Sequence, residues 1–418
     1  MPVRYPHDFV VAHYSGDRKT GRIALIFGGP GGTRVETLPL GAPSGKGPMR
    51  QPILVGVTRD KQAVLLEPET KKINLAATFP PDTFPAHVYS DPASGADWFM
   101  NDGEKETGND TLNCGDRGSS VSVVVEANSA NARYLTTICV GRGHHQAAFT
   151  APTDQAPGLP KRACISNLND GTVDLIGNDA ADAATYQKVV ATVNLCERDK
   201  EDAALSAAGI PNKAYPHGLA FSRVTGKLYN LNNGYGTVAV IDPVSGQIEQ
   251  RIGLKGHSNM FAAPDGRYFI ARGADRKTDP SHVLAKVSVF DPVAGKITDQ
   301  VTLPDIYIGK YFFNPQGTRL YLTGAVSGSP EQQVHLKADA VLAFDLTALP
   351  KLKLVAELRF KSPVGFLSFV PGASAAHGYM LASISEAGTV DIIDESTLAP
   401  VETVTVNQGA VHSRIWTV

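Results

Sequence analysis

The stretch Tyr215 to Gly256, YPHGLAFSRVTGKLYNLNNGYGTVAVIDPVSGQIEQRIGLKG, alternates apolar and polar residues in four short runs separated by turn residues. A period of two turns one face of each run toward a core and the other away from it, the pattern of β-strands. Leu219 to Ser222 reads as an innermost strand, Lys227 to Leu231 as the second, Thr237 to Ile241 as the third and Ile248 to Ile252 as the outermost. Asn233-Gly234 and Pro243 to Gly246 supply the turns, because Asn, Gly and Pro accept the backbone angles a tight reversal needs. The unit is a four-stranded antiparallel meander with no helix of useful length.

Its third strand and turn recur along the chain. KVSVFDPVAG (Lys286 to Gly295), AVLAFD (Ala340 to Asp345), GTVDIID (Gly388 to Asp394) and GTVDLIG (Gly171 to Gly177) are close copies, and SVSVVVE (Ser120 to Glu126) and RIALIFG (Arg22 to Gly28) are weaker ones. A four-stranded unit repeated every 40 to 55 residues or so predicts an all-β fold, a β-propeller, rather than a sandwich or solenoid. Eight blades are counted, with seven as the alternative, because Ile53 to Phe79 fits one more blade only with ambiguous strands. Val411 to Val418 resembles an innermost strand without successors, and His7 to Leu40 three outer strands without a predecessor. Together they are expected to complete one blade, which removes the open edges that invite aggregation. One propeller domain, residues 1 to 418, accounts for the length.

Composition narrows the function classes. With a formal net charge of -2 the chain has no basic field to hold a phosphate backbone, so nucleic acid is not an expected partner. No apolar stretch approaches the ~20 residues that span a bilayer, and Met1 to Asp8 lacks the pattern of a secretory signal. The expectation is no membrane partner and a cytoplasmic location, or a periplasmic one for a mature form. The four cysteines, Cys114, Cys139, Cys164 and Cys196, include no C-x-x-C pair; they read as small buried apolar residues or as one disulfide of unassigned pairing.

The run HGLAFSRVTGKLYNLNNGYGTVAVIDPVSG (His217 to Gly246) resembles the repeat of the surface-layer, YVTN-type β-propellers, which are similar in layout to lactonase-like and cytochrome d1-like propellers. Tyr215 to Asp394 carries the resemblance, and little of it extends before Asn113. In place of Y-V-T-N this chain has LYNLNN, YFIARG and YLTGAV. The resemblance implies the fold and leaves the chemistry open, since propellers host unrelated functions.

Chemistry enters when the innermost strands are aligned. His145-x-x-x-Phe149, His217-x-x-x-Phe221, His257-x-x-x-Phe261 and His412-x-x-x-Trp416 place histidine in one slot four times, and His87 begins the corresponding strand of another blade. Ile308-x-x-x-Phe312 and Gly365-x-x-x-Phe369 keep the aromatic without the imidazole, so the aromatic belongs to the architecture and the histidine does not. Equivalent repeat positions lie at one height around the axis, so the expectation is a ring of imidazoles at one mouth of the channel. Such a ring suits a transition metal such as copper, iron or zinc. The competing reading is that Pro-His-Gly is a favourable strand start with each histidine bonded to backbone.

His144, Arg142, Arg272, Lys310 and Arg117 fall near strand ends on the same face and are candidate contacts for a small, anionic substrate. Long polar connections at Asn101 to Gly118, Arg272 to Ala285 and Gly324 to Asp339 open there too and carry His282 and His335. Gly28 to Gly32 lacks the Lys-Ser/Thr of a phosphate loop, Asn101 to Asp110 lacks the spacing of a calcium loop, and no G-x-S-x-G elbow is present. Three functions stay open: a metal-dependent oxidoreductase, analogous in layout to multi-histidine propeller enzymes such as nitrous oxide reductase and thiocyanate dehydrogenase, a non-catalytic metal carrier or sensor, and an interaction propeller with structural histidines.

Overall fold

The computed structural model describes residues 3–15, 22–39, 53–57, 62–67, 70–80, 85–102, 114, 118–127, 129, 131–143, 145–202, 204–374, 377–384, 386–406 and 413–417. Their strands form seven four-stranded antiparallel sheets and one three-stranded sheet. In chain order the first complete blade holds β7 (Pro85–Ser90), β8 (Asp97–Asn101), β9 (Ser119–Val125) and β10 (Arg133–Val140), and the second β11 (His145–Thr150), β12 (Arg162–Asn167), β13 (Thr172–Gly177) and β14 (Val189–Asn194). The third is β15 (Pro216–Ser222), β16 (Lys227–Asn232), β17 (Thr237–Ile241) and β18 (Ile248–Gly253). The fourth is β19 (Asn259–Ala262), β20 (Phe269–Asp275), β21 (Leu284–Asp291) and β22 (Lys296–Pro304). The fifth is β23 (Ile308–Phe313), β24 (Arg319–Gly324), β25 (Ala340–Asp345) and β26 (Lys353–Arg359). The sixth is β27 (Phe366–Ser374), β28 (His377–Ile384), β29 (Thr389–Asp394) and β30 (Pro400–Thr405).

The seventh blade joins the two ends of the chain. β31 (Ser413–Thr417) is its innermost strand, followed by β1 (Phe9–Ser15), β2 (Arg22–Gly28) and β3 (Arg34–Pro39), with Val11 opposite Thr417 and Ser15 opposite Ser413. This is the closure the orphan strand counts predict. The ambiguous segment forms β4 (Ile53–Val57), β5 (Gln62–Glu67) and β6 (Lys72–Thr78), a sheet one strand short of a blade. Eight is therefore the number of sheets and seven the number of complete blades. The chain is a β-propeller.

Burial explains why these sequences take these places. The middle strands are sandwiched between neighbouring blades and are apolar on both faces: β17, TVAVI, is buried throughout. An outermost strand buries one face only, and β26, KLVAELR, alternates exposed and half-buried residues along its whole length. Aromatic side chains fill the seams. Tyr229 of the third blade lies 5.1 Å from Phe269 of the fourth, and Trp98 of the first 5.9 Å from Phe149 of the second. Phe261 stacks on Tyr311 of the next blade at 3.5 Å between centroids. The aromatic of the H-x-x-x-F pattern is thus a packing residue, each such burial contributing roughly 2 to 3 kcal/mol.

Gly28, part of the glycine-rich run, has its own packing reason, since a Cβ there would lie 2.1 Å from the Phe9 ring.

Candidate site at the channel mouth

Innermost strands line the central channel of a propeller. Their starting ends define one mouth, and three of them are irregular there. Pairing slips between Pro85 and His87 in β7, between Pro216 and Leu219 in β15, and between Ile308 and Lys310 in β23. A bulge breaks the ladder and re-aims the side chains beside it, a device common next to binding sites. His217 lies inside the second of these bulges and His87 at the edge of the first.

His217 is half-buried, and its Nδ1 lies 2.7 Å from the carbonyl oxygen of Ser258. A carbonyl only accepts, so Nδ1 carries the proton and donates, and Nε2 holds the lone pair. That arrangement, one ring N–H given to a backbone carbonyl, is the one that orients an imidazole to ligate or accept through its other nitrogen. His87 is half-buried, with its ring centroid 6.4 Å from that of Tyr89. His145 begins β11 with its backbone opposite Asn167; its side chain, like the whole of His144, His412 and Arg117, lies outside the described residues.

His257 behaves differently although the sequence puts it in the same slot. It is only 3% exposed; its Nδ1 lies 3.2 Å from the Lys255 carbonyl and its Nε2 2.8 Å from Oγ of Ser288 on β21. The ring reaches outward into its own blade, and burial pushes its pKa down. Both nitrogens are taken up by protein atoms. His257 serves the hydrogen bonding of its blade and does not carry over into the site.

The cationic candidates are also engaged. Arg272 is buried and donates through Nη1 to the Ile308 carbonyl at 2.5 Å and through Nη2 to the Gly309 carbonyl at 3.1 Å, tying the fourth blade to the fifth. Burial lowers its pKa, and no carboxylate pairs with it among the described residues. Arg142 donates through Nε to Asp170 at 2.8 Å, with its side chain 37% exposed. Lys310 is exposed; its Nζ donates to the Gly365 carbonyl at 2.7 Å over the Phe366 ring. Of the substrate-binding candidates described, Arg142 and Lys310 keep a partly exposed charge at the mouth and Arg272 does not.

Beneath the mouth runs a belt of buried asparagines that the sequence reading missed. Asn101 donates to Ser120 and Ser122, Asn167 to Thr172 and Asp174, and Asn230 to Asn232, while Asn259 reaches toward His217 at 3.5 Å. The Oδ1 atoms of all four are buried and meet no partner among the described residues. The signal was present in part: β8 and β12 end in two of these asparagines, Asn101 and Asn167. Gly141 makes room for one of them, because a Cβ there would lie 2.7 Å from Asn167.

Two of the three long connections form a clasp on this face. α1 (Pro330–His335), capped by Ser329, presents Gln332, whose Nε2 donates to the carbonyls of Arg276, Asp279 and His282 at 3.1, 2.8 and 3.3 Å. His282 stacks on His335 with centroids 4.7 Å apart and holds Asp305 at 2.6 Å, which raises its pKa. Most of the third connection lies outside the described residues, but Cys114 within it is bonded to Cys139 of β10. Cys164 is buried and Cys196 half-buried, both as thiols. Elsewhere in the chain His7 is exposed and His13 buried, while the His377 side chain is outside the described residues.

No three His, Cys, Asp or Glu side chains among the described residues are gathered closely enough to hold a metal ion, and the side chains of His145 and His412 are not among those described. No described helix is long and apolar enough to cross a membrane.

No family model matches the chain. No curated protein matches it in sequence. Solved structures do match in shape. A 6-phosphogluconolactonase-like protein of Bacteroides fragilis is 13% identical with a TM-score of 0.52, covering 88% of this chain and 97% of its own. The dihydro-haem d1 dehydrogenase NirN is 12% identical with a TM-score of 0.57, covering 100% of this chain and 77% of its own. A second 6-phosphogluconolactonase-like protein, from Bacteroides uniformis, is 13% identical with a TM-score of 0.52. At these identities the likeness shows the fold alone.

Proposed function

We propose that the chain is a metal-dependent oxidoreductase acting on a small molecule or ion at the channel mouth, with His217, His87, His145 and His412 as the imidazole set. The observation that carries this reading is the Nδ1 to Ser258 bond of His217 inside a strand bulge, which fixes the orientation of the ring and makes Nδ1 its donor. Copper, iron or zinc suits such a donor set. When bound, the metal would supply Lewis acidity or electron transfer to a coordinated substrate. The protein's part is to fix the imidazoles and to offer Arg142 and Lys310 to an anionic substrate, with His144, two residues along the chain from Arg142, as a further candidate contact.

The disulfide between Cys114 and Cys139 favours an oxidising compartment, such as a periplasm, over the cytoplasm. It tethers the connection between β8 and β9 to the outer strand of the first blade.

A second reading, an interaction propeller with structural histidines, is favoured by His257, whose ring is fully engaged within its blade. Elemental analysis of untagged protein, followed by turnover assays with small anions and electron acceptors, separates the two. Stoichiometric metal with turnover supports the oxidoreductase; metal without turnover supports a carrier or sensor, and no metal supports the structural reading.

A further inference from the structure

At the mouth, successive seams from the first blade to the sixth are bridged in one sense, each by a side chain of one blade meeting backbone at or near the start of the next blade's innermost strand. Ser119 accepts from Gly143 N at 3.3 Å, Gln146 Oε1 accepts from Leu219 N at 3.1 Å, and His217 donates to the Ser258 carbonyl at 2.7 Å. Arg272 and Lys310 continue the series to the carbonyls of Ile308 and Gly365. The site histidine is one link in this girdle, and the link before it is Gln146.

Gln146 matters to His217 because of what the bulge leaves unheld. Pairing between β15 and β16 sets Pro216 opposite Asn232 and resumes with Leu219 opposite Asn230, so His217 and Gly218 stand outside the one-to-one ladder. A bulged segment takes its conformation from the contacts on its flanks. On the fourth-blade side the His217 ring holds the Ser258 carbonyl, and Gly218 lies so close to β19 that a Cβ there would be 2.6 Å from Met260 N. On the second-blade side the holding group is Gln146 Oε1. Its strand position is itself secured, since Gln146 N donates to Oγ of the buried Ser166 at 3.1 Å. Leu219 is buried, so its N–H, deprived of this acceptor, has to turn the backbone to find another. That turn begins two residues from the imidazole.

We infer that Gln146 is a positioning residue for His217: by fixing the second-blade side of the bulge it holds the ring on the Ser258 carbonyl and so keeps a proton on Nδ1. This deepens the reading of His217 as a member of the mouth site, on which the functional weight of Gln146 rests. The hydrogen bonds themselves involve protein atoms alone.

Long-range proton–nitrogen NMR spectra of the full chain, labelled on histidine, treated with chelator and held at a pH above the histidine range, test it. The His217 signals are assigned by their loss in His217→Gln. The parent is expected to show His217 as the Nδ1–H tautomer. Gln146→Met keeps the length, removes the acceptor and is expected to shift His217 toward the Nε2–H tautomer. Gln146→Asn, too short to reach Leu219, is expected to do the same and stands in if the first variant fails to fold. Gln146→Glu keeps an acceptor oxygen and is expected to retain the parent tautomer. His257, bonded to Ser288 in its own blade, is the internal control and is expected to keep its signals in all three. The inference is overturned if the parent lacks the Nδ1–H form at His217, or if His217 in folded Gln146→Met or Gln146→Asn reads as in the parent. It is equally overturned if Gln146→Glu shifts as far as Gln146→Met, or if His257 shifts together with His217, which would report a general loosening. Metal content of the untagged parent is a separate measurement: a parent without metal would end the metal reading and leave the tautomer result standing.

Discussion

The Nδ1 of His217 and the carbonyl of Ser258, 2.7 Å apart, join the start of β15 to the connection that leads into β19. One bond therefore crosses a blade seam and sets the tautomer of an imidazole at the mouth. The neighbouring residue, His257, has the same spacing to its aromatic but turns the other way, to Ser288. The difference between these two histidines organises the functional account.

Closure of the ring predicts a global effect of a local truncation. β31 pairs with β1 over Val11 to Ser15, and the sixth blade packs Val370 and Leu381 against Val11 and Ile26 of the closing blade. A chain ending at Val406 exposes the edge of β1 and is expected to unfold at a lower temperature in a transition that includes the whole ring. Thermal unfolding by circular dichroism is the check. An unchanged midpoint would show that closure contributes nothing to stability.

His13 predicts a pH dependence. It is buried in β1 with Nε2 at 3.0 Å from Ser383, its Nδ1 meets no partner among the described residues, and burial lowers its pKa from 6.5 to about 4. The unfolded chain takes up a proton near pH 6.5 that the folded chain refuses until about pH 4. Stability from this group is present above that range and is lost as the pH falls through it. Near pH 5 the loss amounts to about 2 kcal/mol. Urea unfolding of the parent and of His13→Leu, at neutral pH and near pH 5, is expected to show a smaller pH difference in the variant. Equal differences would remove His13 as the cause.

Arg272 predicts that shape matters more than charge between the fourth and fifth blades. Its guanidinium serves two successive carbonyls, Ile308 and Gly309, through two nitrogens. Lysine keeps the charge as a single point and cannot reproduce the fork. Arg272→Lys is expected to destabilise the fold by about 2 kcal/mol, because one buried acceptor loses its donor. A denaturation midpoint equal to the parent's would contradict the role given to the fork.

Much of the fold was legible because strand periodicity and turn chemistry are local. The third blade shows this: the strand read at Thr237 to Ile241 is β17 residue for residue, and the others differ by a few residues at their ends. The site was less legible because it depends on where a strand begins. The H-x-x-x-F spacing aligns His217 with His257, but β15 already begins at Pro216, whereas β19 begins only at Asn259, after the histidine. Local spacing carries no information about Ser288, 31 residues onward, which draws His257 into the blade. The pairing of Cys114 with Cys139 is likewise a product of separate segments meeting. The belt of asparagines was readable but unread, since a polar residue ending a strand passes for a turn signal.

The central claim is that His217, and not His257, belongs to a metal-holding mouth. The measurement that tests it most directly is metal content per chain in untagged parent, His217→Ala and His257→Ala, each checked for fold by circular dichroism. The account predicts a metal-loaded parent, loss of the metal in folded His217→Ala and its retention in folded His257→Ala. A parent without metal, or a folded His217→Ala that keeps it, would contradict the account.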